Sequence, residues 1–224
     1  MLRELHLDLV DMSSVSLRSL MNFSSSLTTL SLFNCELQGT LPIDIFRLPN
    51  LLTLSLTSNI ELKGFSPLVN LTTPLRFLDL SYNNVSGELP KSIDNLKFLR
   101  KLGLRQCNFN GPIPVSLSNL TQLTDLDLSE NHFSGEIPSS LSNLKMLSYL
   151  GLEYNNLNGS FSSSIGILTK VTQIFFRSNY FTGQIPSLSK LKDLNLIDLR
   201  FNNLRGRIPD FLTNLTRLTK VYLS

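Results

Sequence analysis

A repeat of 24 residues runs through the whole chain of 224 residues. Its best-preserved copy contains Leu123, Leu126, Leu128, Asn131 and Gly135. We call the positions equivalent to Asn131 the ladder positions, and they are spaced by 25, 24, 24, 24, 24, 24, 24 and 23 residues: Val10, Cys35, Asn59, Asn83, Cys107, Asn131, Asn155, Asn179 and Asn202. Each copy, numbered as a coil by its ladder position, contacts only its neighbours in such an array. The sequence therefore predicts nine stacked coils and the start of a tenth at Leu218.

The pattern inside each coil predicts the fold class. A period in the twenties with the core L-x-x-L-x-L-x-x-N/C-x-L indicates an α/β repeat, a right-handed leucine-rich-repeat solenoid. Leu126 and Leu128 alternate with Asp125 and Asp127, as expected for a strand with one buried and one solvated face. These strands should form a parallel concave sheet, and short 3-10 or helical turns should line the convex side. We expect one domain over residues 1–224.

Glycine and proline recur once per coil after the ladder position. The glycines should occupy a backbone conformation that other residues resist: Gly39, Gly64, Gly87, Gly111, Gly135, Gly159, Gly183 and Gly206. The prolines suit the entry to a short helical turn because φ is fixed and no N–H is needed: Pro42, Pro90, Pro114, Pro138, Pro186 and Pro209, with Pro67 shifted by one and Ser162 in place of proline.

The ladder side chains should point inward, where an amide can satisfy backbone groups of the turn. The set comprises Cys35, Asn59, Asn83, Cys107, Asn131, Asn155, Asn179 and Asn202. Cys35 and Cys107 lie three coils apart, about 14 Å at a strand spacing of about 4.8 Å, which exceeds the reach of a disulfide. We expect both to be free, buried thiols.

Charge and the chain ends limit the functional classes. A net charge of +3 without a long basic run gives no support to nucleic-acid binding. No stretch approaches the roughly 20 apolar residues of a membrane span, and Met1 leads directly into a repeat. Terminal capping repeats are missing, so we expect an excerpt or a truncated product that would by itself be neither exported nor anchored. Membrane attachment would need a segment absent from this chain.

Two motifs carry a family resemblance. The phrase from Phe133 to Pro138, repeated from Phe181 to Pro186, resembles the plant-specific, largely extracellular class of leucine-rich repeats. Coils two and three, from Leu32 to Gly64, resemble the plant receptor-like proteins of disease resistance. The resemblance implies an ectodomain that recognises a pathogen or endogenous ligand outside the cell and signals through partner receptor-like kinases. It also implies a plasma-membrane protein facing the apoplast, or a secreted one.

The outward strand positions of coils four to nine form the predicted binding face. Coils two and three carry mostly Ser and Thr there, whereas later coils combine aromatic residues, arginines and carboxylates, which are frequent at interface hot spots. The candidate ligand-binding residues, beside Asp79, are Phe77, Tyr82, Lys101, Arg105, Asp125, Asp127, Glu130, Tyr149, Glu153, Tyr154, Phe175, Arg177, Asp198, Arg200 and Phe201. The expected ligand is a protein or a peptide.

Two other interpretations of this face are open. It can be a merely solvated sheet with lateral ion pairs such as Glu153 with Arg177. If it is the binding face, Tyr154 and Arg177 should point to solvent, and replacing both with alanine should weaken ligand binding while thermal unfolding stays nearly unchanged. The pair Asp125 and Asp127 suggests acid–base chemistry, but no histidine, burial or metal-ligand cluster is expected beside it to separate the two pKa values. The sequence therefore predicts no enzyme activity, no cofactor and no metal site.

Six N-x-S/T sequons are candidates for N-glycosylation: Asn22, Asn70, Asn84, Asn119, Asn158 and Asn214. None falls on a concave strand position, and Asn22, Asn119 and Asn214 recur twelve residues after the ladder on the convex side. Glycans there would leave the binding face open.

We expect ligand recognition by a plant receptor-like protein in immune or developmental signalling. The first alternative is a secreted protein similar to the polygalacturonase inhibitors, which use the same repeat class. The second alternative is an intracellular protein-interaction scaffold.

Overall fold

The computed structural model describes residues 2–15, 25–65, 71 and 73–223. Its main element is a parallel sheet of ten three-residue strands, each hydrogen-bonded to the strand of the next coil. The strands are Glu4–His6, Thr29–Ser31, Thr53–Ser55, Phe77–Asp79, Lys101–Gly103, Asp125–Asp127, Tyr149–Gly151, Gln173–Phe175, Leu196–Asp198 and Lys220–Tyr222. The predicted leucine-rich-repeat solenoid is thus confirmed.

The register of this sheet keeps one side chain of each strand in the core. Leu126 pairs with Leu102 and Leu150, and the leucines of these three strands are at most 1% exposed. The residues on either side of Leu126 are half-buried on the opposite face. The period-two alternation thus separates a leucine core from a concave surface, as expected.

Smaller parallel sheets follow the ladder position. Four strands form one of them: Ser86–Glu88, Asn108–Pro112, His132–Gly135 and Asn156–Leu157. Two-stranded sheets join Gly39–Leu41 to Leu62–Phe65 and Thr182–Gly183 to Asn203–Leu204. All eight glycines of the series have positive φ, 75° at Gly135, so the predicted backbone requirement is confirmed.

Short 3-10 helices line the convex side: Ile43–Arg47, Lys91–Asn95, Val115–Asn119, Ser139–Asn143, Ser163–Ile167 and Asp210–Asn214. Five of these helices begin after a proline of the predicted series. The helix Ser163–Ile167 begins after Ser162, whose hydroxyl accepts a hydrogen bond from the Ser164 N–H at 3.2 Å. Coil eight, one residue shorter, has turns in place of a helix after Pro186. Pro67 lies outside the described residues.

The ladder asparagines join each coil to the one before it. The Asn131 amide nitrogen donates to the carbonyls of Leu104, Leu128 and Ser129 at 2.7, 3.1 and 2.9 Å, and its oxygen accepts from the Phe109 N–H at 3.1 Å. Asn59, Asn83, Asn155, Asn179 and Asn202 make equivalent bonds to carbonyls. The inward placement is therefore confirmed for these six asparagines, whereas Val10, at the first ladder position, is 46% exposed.

The two ladder cysteines are free and buried, as predicted. The Cys35 thiol lies 3.0 Å from the Leu7 carbonyl oxygen, and the Cys107 thiol lies 3.1 Å from that of Leu80. Burial raises the pKa of Cys107 to about 12. Each thiol therefore donates to one carbonyl of the preceding coil and replaces part of the amide network.

Candidate functional site

The concave face brings the predicted binding residues together. Its register places Phe77, Lys101, Asp125 and Tyr149 side by side on four successive strands. A second column contains Asp79, Gly103, Asp127, Gly151, Phe175 and Asp198. The remaining candidates follow the strands directly: Tyr82, Arg105, Glu130, Glu153, Tyr154, Arg177, Arg200 and Phe201. Two chemically different patches result.

The acidic patch consists of Asp79, Asp127, Glu130 and Glu153 with Arg105 among them. The Arg105 guanidinium hydrogen-bonds to the Glu130 carboxylate, and its second terminal nitrogen lies 3.9 Å from Glu153 Oε1. Beside this patch, the Lys101 ammonium lies 3.6 Å from the Asp125 carboxylate. Each of the two cations is therefore engaged by a carboxylate other than Asp79 or Asp127.

Glu153 has an unusual environment for a residue at a predicted outward position. It is 8% exposed, and its Oε2 is buried without a hydrogen-bond partner. Burial raises the pKa of Glu153 to about 7; the Asp127 carboxylate adds to the rise, and Arg105 opposes it without cancelling it. Burial likewise raises the pKa of Asp127. These carboxylates are held in a poorly solvated part of the face.

The arginine–aromatic patch consists of Tyr154, Arg177, Asp198, Arg200, Phe201 and Tyr222 in coils seven to ten. The Arg177 guanidinium carbon lies 5.3 Å from the Tyr154 ring centroid and 4.8 Å from that of Phe201. Arg200 lies 4.4 Å from the Tyr222 ring centroid, and its Nε and Nη2 donate to the two Asp198 oxygens at 3.0 and 2.6 Å. Cation–π contacts fix both guanidinium groups.

The pKa of Asp198 is shifted in the opposite direction from that of Glu153, although both residues are buried. Asp198 is 5% exposed, and burial alone would raise its pKa. The hydrogen bonds from the Arg200 side chain and backbone outweigh burial, so the pKa of Asp198 is lowered. A paired arginine thus keeps this carboxylate ionised.

Three expectations about this face are wrong. Glu153 contacts Arg105 and not Arg177, whose guanidinium lies between two aromatic rings. Arg177 is partly buried and its Nε lacks a hydrogen-bond partner, so of the expected pair only Tyr154, 44% exposed, projects to solvent. No burial was expected beside Asp125 and Asp127, but Asp127 is buried enough for its pKa to be raised. Neighbouring coils pack their long side chains over one another, which an alternation pattern does not reveal.

The rim of the face depends on a feature that sequence reasoning missed. The residue before each ladder position has a left-handed backbone, including Tyr82, Glu130, Tyr154 and Phe201 with φ of 60°, 53°, 54° and 55°. This conformation costs a non-glycine residue about 1–2 kcal/mol. Its recurrence in every described coil makes it a property of the repeat, and it places large side chains at the edge of the sheet.

Gly103 and Gly151 were also missed, since neither belongs to the glycine series. Both occupy concave strand positions at which the neighbouring strands carry Asp or Phe. A Cβ at Gly103 would lie 2.7 Å from Asp79 Oδ1, and one at Gly151 would lie 3.0 Å from Asp127 Oδ1. Each glycine therefore leaves room for the carboxylate of the preceding coil.

The other predicted sites are placed as follows. Asn119 and Asn214 end convex 3-10 helices and are exposed, as is Asn158, whereas Asn84 is half-buried and accepts a hydrogen bond from Asn108 at 2.6 Å. Asn22 and Asn70 lie outside the described residues. Glycosylation of any sequon stays a prediction.

Two kinds of feature are absent from the described residues. Within these ranges, His, Cys, Asp and Glu side chains form no group of three able to hold a metal ion. The same part of the chain contains no helix with the length and apolar character needed to cross a bilayer.

Comparison with known proteins agrees with this architecture. A family model described as a leucine-rich repeat region matches residues 26–171, and one described as a leucine-rich repeat matches residues 193–215. The first match covers more than half of the chain. The chain belongs to the leucine-rich-repeat family.

Several of the similar proteins are plant receptors. Receptor-like protein 6 of Arabidopsis thaliana is 42% identical over 104 residues, which is 46% of this chain and 10% of that protein. The plant peptide hormone receptor RGFR1, solved in complex with RGF2, superposes with a TM-score of 0.86 at 35% identity, over 92% of this chain and 33% of the receptor. The Arabidopsis receptor kinase HAESA, solved with the peptide hormone IDA and the co-receptor SERK1, superposes with a TM-score of 0.63 at 28% identity, over 99% of this chain and 46% of that chain. The chain thus spans a tenth to under half of the length of these proteins.

Proposed function

We propose that this domain recognises a peptide or protein ligand on the concave face of coils four to nine, as part of a plant receptor-like protein in immune or developmental signalling. The observation that carries the proposal is the arginine–aromatic patch beside the acidic patch. Exposed Tyr154 and Phe201 flank a positioned guanidinium, and tyrosine and arginine are enriched among residues that dominate binding energy.

The names of the similar structures support a peptide ligand. RGFR1 and HAESA are both described as bound to peptide hormones, and HAESA also to a co-receptor. By analogy, the whole protein would act with receptor-like kinase co-receptors and expose this domain to the apoplast. The domain itself would bind and not catalyse.

Peptide selection tests the proposal. A phage-displayed random 12-residue library is selected on the immobilised chain, and retained peptides are synthesised and titrated. The double variant Tyr154→Ala/Phe201→Ala should weaken their binding at least tenfold, because it removes two exposed aromatic anchors.

Phe98→Ala provides the matched control. Phe98 is 56% exposed, belongs to no concave strand and lines a separate cleft with Arg76 and Arg100. The Phe98→Ala variant should bind the selected peptides with unchanged affinity. Equal loss in both variants, or loss only in Phe98→Ala, would contradict the concave site.

The membrane-bound and secreted alternatives need a different test. Transcript sequence on both sides of this segment distinguishes them. A downstream membrane-spanning helix supports the receptor-like protein, whereas a stop codon shortly after a capping cysteine pair supports the inhibitor-like protein.

A further inference from the structure

A cleft of about 660 Å³ lies beside the convex 3-10 helices of coils four and five. Its lining includes Asp94, Phe98, Asn119 and Gln122. The volume is typical of sites that bind small molecules, which enclose about 300–1,000 Å³. None of the lining residues belongs to a strand of the concave sheet, so the ligand proposed for that face does not account for the cleft.

The attachment atom of a predicted glycosylation site lies in the wall of this cleft. Asn119 begins the sequon Asn119-Leu120-Thr121 and is exposed at the end of the helix Val115–Asn119. Its Nδ2 donates a hydrogen bond to Asp94 Oδ2 at 3.1 Å. An N-linked sugar replaces one of the two hydrogens on this nitrogen, and the remaining one is sufficient for the bond to Asp94. The attached sugar would therefore start at a fixed point of the cleft.

Phe98 offers a surface that suits a sugar ring. Its aromatic side chain is 56% exposed, and it lines the cleft from the coil before that of Asn119. The C–H-rich face of a pyranose can pack on such a ring, which removes apolar surface from water and adds dispersion contacts. Because the sugar is covalently attached in the same cleft, its effective concentration at Phe98 is high without any free ligand.

Three cations in the cleft have no carboxylate partner. Arg76, Lys97 and Arg100 line it, and within the described residues none of them forms an ion pair. Their N–H groups only donate, so they match the hydroxyl and acetyl oxygens of a sugar, which accept. The cleft thus combines an apolar ring with hydrogen-bond donors, as the two kinds of surface on a sugar require.

A second sequon provides an internal contrast. Asn214 ends the helix Asp210–Asn214 just as Asn119 ends its own helix, but the residue equivalent to Phe98 there is Asp193. Phe98 and Asp193 each precede a buried leucine whose N–H closes a turn before the concave strand. The Asp193 carboxylate accepts a hydrogen bond from Arg217 at 2.7 Å, so an ion pair lies where coil four presents an aromatic ring.

We propose that Asn119 carries an N-glycan whose first two sugars pack in this cleft against Phe98. In the transfer, Asn119 Nδ2 forms a bond to C1 of the first N-acetylglucosamine, the bond between C1 and the diphosphate of a lipid-linked donor breaks, and the nitrogen releases one proton. The glycan would cover an exposed aromatic ring and stabilise coils four and five. The proposal requires passage through the secretory pathway, but it does not depend on a ligand of the concave face.

The test uses the whole chain, secreted behind an added leader from cells that attach only high-mannose glycans. Mass spectrometry of glycopeptides gives the occupancy of each sequon. It also gives the rate at which endoglycosidase H, which cuts between the first two sugars, trims each glycan on the folded chain. Trimming at Asn119 should be several-fold slower than at Asn214, because the bond that is cut lies against the protein. Phe98→Ala should abolish this difference and leave the rate at Asn214 unchanged.

Thermal unfolding supplies a second measurement. Thr121→Ala removes the sequon but keeps the Asn119 amide and its bond to Asp94, and in the secreted chain it should lower Tm by about 2–4 °C. Thr216→Ala removes the sequon of Asn214 in the same way and should lower Tm less. Phe98→Ala should lower Tm in the glycosylated chain, and much less in the chain made in bacteria, which lacks glycans.

Three results would each overturn the proposal. The first is an unoccupied Asn119 in the secreted chain, and the second is trimming of Asn119 and Asn214 at equal rates. The third is an effect of Phe98→Ala on Tm that is the same with and without glycans. All three are distinct from a failure of the concave site, which peptide titration of the bacterial chain measures separately.

Discussion

Two buried carboxylates on one sheet have pKa values that are shifted in opposite directions. In the arginine–aromatic patch, Arg200 follows Asp198 by two residues on the same face and binds both of its oxygens, so the pKa of Asp198 is lowered. In the acidic patch, Arg105 is shared between Glu130 and Glu153, and the pKa of Glu153 is raised to about 7. In the arginine–aromatic patch, Asp198 thus has its own arginine partner without any ligand. In the acidic patch, two glutamates share one arginine.

The largest predicted effect concerns Glu153. Its folded pKa of about 7 lies above its usual 4.5, so its contribution to stability is present at acid pH and is lost as pH rises through 7. Glu153→Gln cannot ionise and should exceed the unchanged chain in free energy of unfolding by up to about 3 kcal/mol at pH 8, and by almost nothing at pH 4. Urea unfolding at both pH values measures this.

Asp198→Asn is the matched comparison and should change stability with the opposite sign. A lowered pKa contributes stability above the unfolded pKa, so this variant should be less stable than the unchanged chain at pH 8, and the difference should shrink toward acid pH. A Glu153→Gln effect that is equal at pH 4 and pH 8 would show that Glu153 is not buried as described.

A second prediction compares the ladder asparagines beneath the two patches, which should stabilise the fold equally. Asn131→Ala beneath the acidic patch and Asn179→Ala beneath the arginine–aromatic patch should each cost about 1–3 kcal/mol, because each leaves inward backbone groups unpaired. Thermal and urea unfolding measure both. Exposed Asn156→Ala is the control, and an unchanged melting curve for either ladder variant would contradict its inward role.

A smaller effect is expected from Arg177→Ala. It removes contacts with two aromatic rings and should lower the free energy of unfolding by about 1 kcal/mol. This corresponds to a fall in Tm of about 2–4 °C for a chain of this size. Arg217→Ala removes a side chain that is 69% exposed and whose guanidinium donates to Asp193 at 2.7 Å, so it should change Tm much less. Equal falls in Tm in the two variants would show that the aromatic contacts of Arg177 stabilise the fold no more than an exposed ion pair does.

The smallest effect belongs to the pair between Lys101 and Asp125. Both side chains are more than one-third exposed, and their closest atoms are 3.6 Å apart. Lys101→Ala should therefore change the free energy of unfolding by about 0.5 kcal/mol or less. A loss as large as that of Arg177→Ala would mean that the pair is less screened than its exposure indicates.

The sequence predicts the framework well and the surface only in part. Spacing alone identifies Asn131 as inward and Gly135 as a position of positive φ, because both depend on local backbone geometry that repeats in each coil. The same register assigns Tyr154 and Arg177 to the concave face. It does not predict that Arg177 packs against Phe201, since this contact depends on the rotamers of side chains on different strands.

The electrostatics of the face were the least predictable part. Glu153 and Asp198 occupy outward positions, and alternation predicts solvation for both. Asp198 pairs with Arg200 of its own coil and Glu153 lies beside Arg105, which is two coils away, and alternation predicts neither contact. Gly103 and Gly151 were overlooked because a glycine on a strand has no pattern of its own, although each leaves space for an aspartate of the coil before it.

Hydroxyl-radical footprinting with a selected peptide tests the central claim most directly. If the concave face of coils four to nine binds the ligand, Tyr82, Tyr154 and Phe201 should be protected from oxidation by saturating peptide, while exposed Phe98 and the helix at Val115–Asn119 should be oxidised as in the free chain. Protection at Phe98 or along the convex 3-10 helices, with unchanged oxidation of the three concave aromatic residues, would contradict the account.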